Sequence, residues 1–309
     1  MSGPHEPVLL EETLHYLAGG PGLYLDATLG DGGHAEALLE RVDGSRLLGC
    51  DRDADALARA GPRLARFGAR IMLSQAAFHD LPGAHARVGS EPLAGALLDL
   101  GLSSPQLDDP ERGMSFRHDG PLDLRMDRGA GVSAAEWLRQ ADPATIARVL
   151  RERGDVPGAG RVARALAAAS AAGALRTTGE LVAAVSRALG GRPHPRRLAQ
   201  VFQALRMEVN DEAGELDTVL AWLPGAMRAG GVVVTLAYHS GEDRRIKQSI
   251  RGVTAQGSPR RWPRALEPRV PESPWQELTR RVVTPSAAEE SRNPRARSAR
   301  LRAFRRNPS

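Results

Sequence analysis

Leu23-Tyr24-Leu25-Asp26-Ala27-Thr28-Leu29-Gly30-Asp31-Gly32-Gly33-His34-Ala35 runs from a short apolar segment ending in an acid, through a glycine-rich loop, into a helical stretch. The same rhythm recurs at Leu47-Leu48-Gly49-Cys50-Asp51, Ile71-Met72-Leu73-Ser74 and Ala94-Gly95-Ala96-Leu97-Leu98-Asp99, with helical segments Ala35 to Val42 and Asp53 to Leu64 between. Continuous apolar runs alternating with helices predict a parallel sheet covered on both faces, a doubly wound α/β domain. Ligands in such sheets bind beyond the carboxyl ends of the strands, where Asp26, Asp51 and Asp99 are expected to converge.

No convincing strand follows Asp99 until Val232-Val233-Val234-Thr235-Leu236-Ala237-Tyr238. The interval reads as helical. Ser133-x-x-Glu136 is a capping-box pattern, Asp142-Pro143 pairs an N-cap with an N1 proline, and Arg161 to Ala172 and Thr178 to Leu189 are rich in Ala and Leu. The expected organisation is an α/β domain of residues 1–104 and 211–309, interrupted by a helical insertion over 105–210. The sheet should resume after a helix from Leu216 to Met227, stopped by Gly230-Gly231. A helix from Glu242 to Arg251, a Pro/Arg/Ser-rich loop over 252–275 with Trp262 and Trp275, and strands Leu278 to Thr284 and Ser298 to Phe304 complete the reading.

The 309 residues, 41% hydrophobic and 26% charged, have the composition of a globular chain with room for about two domains and exclude a disordered tail. A single cysteine, Cys50, excludes an intramolecular disulfide, and at the end of an apolar strand it reads as a buried structural thiol. That disfavours methylation at a pyrimidine ring carbon by thiolate attack. The eight histidines show no metal-ligand spacing, so no metal site is expected. No apolar run reaches membrane-spanning length and the N-terminus lacks signal-peptide order, which points to a cytoplasmic protein. The positive charge is C-terminal: residues 251–309 hold 14 basic and 5 acidic residues, and Lys247 is the one lysine in the chain. Arginine's planar fork suits phosphates and stacked bases, although such a composition also fits an ordinary solvated surface.

The loop after the first strand fits two cofactor classes. Gly30-x-Gly32-x-x-Ala35 with Asp51 matches a dinucleotide fingerprint, as an NAD-dependent oxidoreductase would have. The same residues fit an S-adenosylmethionine site, where Asp26 would be useful near the methionine ammonium and awkward near a pyrophosphate. Asp51 is placed to accept both ribose hydroxyls, while Asp53 caps the next helix. After the fourth strand, Ser103-Ser104-Pro105 and Asp109 form a polar turn of the kind that could bind an exocyclic amine, whose delocalised lone pair needs positioned acceptors. His239 lies on the same sheet edge as Asp99, with Ser240 expected to cap the following helix.

These motifs, with Glu111-Arg112-Gly113-Met114-Ser115-Phe116, Gly120-Pro121-Leu122-Asp123-Leu124-Arg125-Met126-Asp127, Val209-Asn210-Asp211-Glu212 and Asn293-Pro294-Arg295-Ala296-Arg297-Ser298, occur in an order that resembles the MraW (RsmH) family of ribosomal RNA small-subunit methyltransferases. The resemblance extends over nearly the full length. It implies a Rossmann-like class I methyltransferase domain with an inserted helical, substrate-recognition domain, and methylation of N4 of a cytidine in 16S rRNA, within the small ribosomal subunit or a late precursor. It further implies S-adenosylmethionine contacts at Gly32, Gly33, His34, Asp51, Phe78, Asp99 and Gln106, to which the reading of the loop itself adds Asp26 and Gly30. Ser103, Ser104, Pro105, Asp109 and His239 would serve the cytidine. The basic C-terminal segment, with Arg295, Arg297, Trp262 and Trp275, and part of the inserted domain are expected to hold the RNA.

Overall fold

A computed structural model describes residues 7–191, 193–252 and 273–308. Trp262 and most of its loop lie outside the described residues. The chain divides into two compact units, one of residues up to Gly101 together with those from Gly214 onward, the other Leu102–Ala213.

In the first unit, helix α1 (Leu10–Leu17) precedes β1 (Gly22–Asp26), α2 (Gly33–Arg41), β2 (Ser45–Asp51), α3 (Ala54–Leu64), β3 (Ile71–Gln75), α4 (Leu81–Arg87) and β4 (Leu93–Asp99). In the second lie α5 (Ser104–Asp108), α6 (Ala134–Gln140), α7 (Pro143–Glu152), α8 (Ala159–Ala171), α9 (Thr178–Leu189) and α10 (Pro195–Val209). Helix α11 (Glu212–Ala226) leads back to β5 (Met227–Ala237), α12 (Ser240–Ile250), β6 (Trp275–Glu277), α13 (Ala287–Arg292) and β7 (Arg300–Arg306).

The seven strands are ordered β3-β2-β1-β4-β5-β7-β6, parallel from β3 to β5, with β7 antiparallel to both β5 and β6. Neighbouring residues of one strand point to opposite faces, and here both faces are buried. Leu23, Leu25, Leu48 and Val233 join α4 and α11 in one apolar layer, and Tyr24, Leu47, Leu97 and Val234 join α1, α2 and α3 in the other. This is the Rossmann-like α/β arrangement, with crossovers on both faces. Among the described residues no helix is long and apolar enough to cross a membrane.

The second unit has its own core, from Met114 through Ile146, Leu166 and Leu181 to Leu205. Ser133 and Glu136 close a capping box on α6, Asp142 caps α7, and Thr177 with Glu180 caps α9. Asn210, buried at the end of α10, donates to the carbonyl of Leu124 at 2.7 Å and accepts from the amide of Met126 at 2.8 Å. It thereby holds the Gly120–Asp127 motif, in which Leu124 takes φ +62°, a conformation that needs such support in a branched residue.

The C-terminal edge differs from the sequence-based expectation. The segment Leu278 to Thr284 contributes one isolated bridge, Val283 to Leu301, and the paired strand is the earlier Trp275–Glu277. Trp275 is 6% exposed and packs edge-on against Phe304 at 4.9 Å. Its indole completes the core, which removes it from the expected RNA-facing set.

Candidate active site

Asp26, Asp51 and Asp99 are the last residues of β1, β2 and β4, which are adjacent and parallel, so all three acids stand on one sheet edge. The register sets their relative heights. Asp26 pairs with Gly49 on β2 and with Leu97 on β4, so Asp51 and Asp99 each extend two residues, roughly 6–7 Å, beyond it. Asp26 is the floor of a notch over β1 and the other two are its walls. The strand order reverses at this point, where open α/β sheets place their ligands.

The loop after β1 is fastened alternately to both walls. The amide of Ala27 donates to Leu97 O at 3.0 Å, Leu29 to Cys50 O at 2.8 Å, and Gly30 to Asp51 Oδ2 at 2.8 Å. The hydroxyl of Thr28 accepts from the amide of Asp99 at 2.6 Å. Gly30 and Gly32 take φ +53° and +78°, and a Cβ on Gly33 would stand 2.4 Å from the ring of Pro7. The loop therefore requires glycine for two reasons, left-handed backbone and close approach. It delivers the chain to the first turn of α2, where helical N–H groups lack intrahelical acceptors.

The electrostatics are unusual for carboxylates. Burial pushes Asp26 up to about 7, against the hydrogen bond from Thr28, and the neighbouring Asp99 and Asp51 add to the rise. Burial likewise pushes Asp51 and Asp99 up to about 6. Asp51 already accepts from Gly30 on one oxygen and from Asp53 N–H, at 2.9 Å, on the other, leaving one lone pair on each for a diol. Asp99 is bonded by the hydroxyl of Tyr238 and the amide of Gly101. Its Oδ1 is nevertheless buried with no hydrogen-bond partner among the described residues. Three clustered acids, Asp26 buried and Asp51 and Asp99 half-buried, and an unsatisfied acceptor fit a ligand that brings positive charge and hydrogen-bond donors. A pyrophosphate would add negative charge to the same notch.

The other expected site residues occupy varied positions. Phe78 follows β3 in a short 3-10 turn, half-buried against Leu81 and its layer. His34 is buried with Nε2 3.0 Å from Val8 O, so its ring fixes the N-terminal segment and its backbone is what faces the loop. His239, and not Ser240, caps α12: its Nδ1 accepts from Glu242 N–H at 3.4 Å, and Nε2 stands 2.8 Å from Glu242 Oε1. Asp53 caps α3 as expected. Cys50 is buried and its thiol is pushed up to about 12 by burial and by Asp26 and Asp51.

Within the second unit, Ser103 caps α5 and accepts from Gln106 N–H, while Gln106 Oε1 accepts from Ser103 N–H at 3.0 Å. Ser104 and Pro105 form the first turn of α5, and Asp109 accepts from Glu111 N–H at 3.0 Å. At the C-terminal edge Arg297 is exposed and Arg295 half-buried in a 3-10 turn capped by Asn293. Part of the C-terminal positive charge is structural: Arg302 is buried, bonded twice to Asp243, at 2.6 and 3.2 Å, and to Glu277 at 3.2 Å.

Thr28, Tyr238 and Glu242 escaped the sequence reading as site residues. Glu242 is buried and its Oε2 accepts from Tyr238 N–H at 2.9 Å, locking the exit of β5 beside Asp99. A hydroxyl two residues past a strand-tip acid is the sequence signal that identifies Thr28.

Fold and notch together fit a Rossmann-like, S-adenosylmethionine-dependent methyltransferase. The chain belongs to the MraW methylase family, whose model matches residues 2–307. It is 42% identical to "Ribosomal RNA small subunit methyltransferase H" of Anaeromyxobacter sp. (strain K), over 97% of this chain and 96% of the relative. A protein of the same name from Nitratidesulfovibrio vulgaris (strain DP4) is 44% identical, over 97% and 94%. Superposition on an rRNA methylase from Streptococcus thermophilus covers 97% of this chain and 94% of that one, with a TM-score of 0.40 and 10% identity. The oxidoreductase reading of the glycine loop is set aside by this membership.

Proposed function

We propose that this chain methylates N4 of a cytidine in 16S rRNA, acting in the cytoplasm on the small ribosomal subunit or a late precursor of it. The observation that carries the proposal is the notch of Asp26, Asp51 and Asp99, with Asp99 Oδ1 buried and unsatisfied. The names of the relatives support the choice of RNA.

In this reading Asp26 and Asp99 hold the ammonium end of the donor and balance its positive charge. Asp51 takes the ribose hydroxyls, Phe78 offers a face to adenine, and the backbone of Gly30, Gly32, Gly33 and His34 lines the approach, with Gln106 a further contact. When bound, S-adenosylmethionine supplies a methyl group activated on a sulfonium, open to direct displacement by N4. The cytidine amine is a poor nucleophile because its lone pair is delocalised into the ring. Ser103, Ser104, Pro105, Asp109 and His239 contact the base, and acceptors among them bind the amino hydrogens and localise that pair. The base must be unpaired or drawn out of its stack. Arg295 and Arg297 contact RNA backbone.

Calorimetric titration of wild type and Asp51→Ala with S-adenosylmethionine, its demethylated product and NAD tests the site, and mapping of methylated cytidine in 16S rRNA tests the target. Binding of the first two, weakened by the substitution, followed by N4 modification is expected. Binding of NAD alone, or methylation on another atom, overturns the proposal.

A further inference from the structure

From Val156 to Met207 the chain holds eight arginines and a single acidic residue, Glu180. Glu180 does not offset them. Its Oε2 accepts from the backbone amides of Thr177, at 3.1 Å, and Arg176. Many other arginines carry carboxylate partners: Arg63 with Glu36, Arg153 with Glu208, Arg206 with Glu212. Among the described residues, Arg161, Arg164, Arg187 and Arg196 have none.

Their positions follow from the helices. On α8 the buried side is Val162, Ala163, Leu166 and Ala169, which leaves Arg161 and Arg164, one turn apart, on the solvent stripe with Ala168. Arg187 is exposed in the last turn of α9, whose buried side is Leu181, Ala184 and Val185. Helices α8 and α9 pack together and are joined by a short link, so they run antiparallel and the end of α9 returns beside the start of α8. A second short link leads into α10, which opens with Arg196 exposed. One end of the α8–α9 hairpin thus gathers hydrated, unneutralised guanidinium groups on a scaffold of small residues.

We infer that this end of the hairpin is a docking face for the phosphate backbone of RNA, additional to the C-terminal arginines. The inference rests on the rRNA reading above and names a surface for it. Releasing counterions from phosphates is favourable for guanidinium groups that have no carboxylate partner, and arginine's fork matches phosphate oxygens.

The test measures binding of a 16S rRNA fragment across a potassium chloride series, with KM and kcat for methylation, for wild type, Arg161→Gln/Arg164→Gln, Arg161→Lys/Arg164→Lys and Arg41→Gln. The glutamine pair is expected to lower the salt slope by about one per guanidinium removed and to raise KM for RNA, leaving kcat and S-adenosylmethionine affinity unchanged. The lysine pair restores the slope, and Arg41→Gln, which breaks a pair with Glu11 elsewhere, leaves it intact. An unchanged slope and KM in the glutamine pair, with wild type active, overturns this face alone. Wild type that binds S-adenosylmethionine yet neither binds nor methylates the RNA overturns the rRNA reading as well.

Discussion

The amide of Gly30 donates to Asp51 Oδ2 at 2.8 Å, so the acid assigned to the ribose also sets the shape of the loop that approaches the donor. Asp51→Ala should therefore weaken S-adenosylmethionine binding through two losses, the diol contact and the loop anchor. At about 1.5–3 kcal/mol for a hydrogen bond to a charged group, the expected effect in calorimetry is a Kd increase of about a hundredfold or more. Asp51→Asn, which keeps one carbonyl acceptor, should fall between the two. Equal affinities in all three proteins would detach Asp51 from the site.

The acids of the notch predict a pH dependence of definite sign. Their folded values of about 6 to 7 lie above the value of about 3.9 for an unfolded aspartate. Between these limits the folded state binds more protons, so the ligand-free protein loses stability as pH rises from about 4 to about 7 and levels off above. A cationic ligand favours the ionised acids. Binding of S-adenosylmethionine should accordingly release protons near pH 6, tighten as pH rises to about 7, and weaken again above about 8, where the donor's α-amino group loses its proton. Titrations in buffers of different ionisation enthalpy read the proton count directly, and proton uptake at pH 6 would refute the assignment. Tyr238→Phe removes a hydrogen bond that lowers Asp99, so it should move the profile to higher pH.

Gly33→Ala tests the fit between the loop and the N-terminal segment. The added Cβ would meet the Pro7 ring at 2.4 Å, and a proline ring against a buried turn has little room to yield. A destabilisation of about 1–3 kcal/mol is expected from overpacking, read as a lower denaturant midpoint, with weaker donor binding. Gly68→Ala has open space around its Cβ but φ +54°, so it should cost about 1 kcal/mol through backbone strain and spare donor affinity.

Two C-terminal arginines should separate cleanly. Arg302→Met strands Asp243 and Glu277 in a largely buried setting, at a cost of about 2–3 kcal/mol, the lower end for a broken buried pair because both acids retain some solvent. Arg297→Ala is expected to change stability by less than about 0.5 kcal/mol while lowering RNA affinity and its salt slope. Chemical denaturation and gel shifts at two salt concentrations distinguish the outcomes, and an unchanged RNA affinity removes Arg297 from the RNA contacts.

Much of this was legible in the sequence because strand tips and caps are local. Asp26, Asp51 and Asp99 end their strands where the apolar runs end, and Ser133, Asp142 and Asp53 cap the helices they precede. The C-terminal edge was less legible: Trp275 and Leu278–Thr284 have similar β-propensity, and pairing with β7 chose between them. Arginine composition also concealed the difference between Arg302, fixed by two acids, and Arg297, which faces solvent. The bond from Tyr238 to Asp99 joins the tips of two adjacent strands distant in sequence, a relation that no spacing rule encodes.

Strand β5 lies directly beside β4 in the sheet, although all of residues 102–213 separate them along the chain. For an unfolded connection, closing so long a loop before any contact forms carries a large entropic penalty and slows folding. Folding of the second unit around its own core before β5 pairs would shorten that search. Residues 1–101 contain β1 to β4, so the pairing of β5 with β4 is expected to be a late step of refolding, read as late hydrogen-exchange protection of β5.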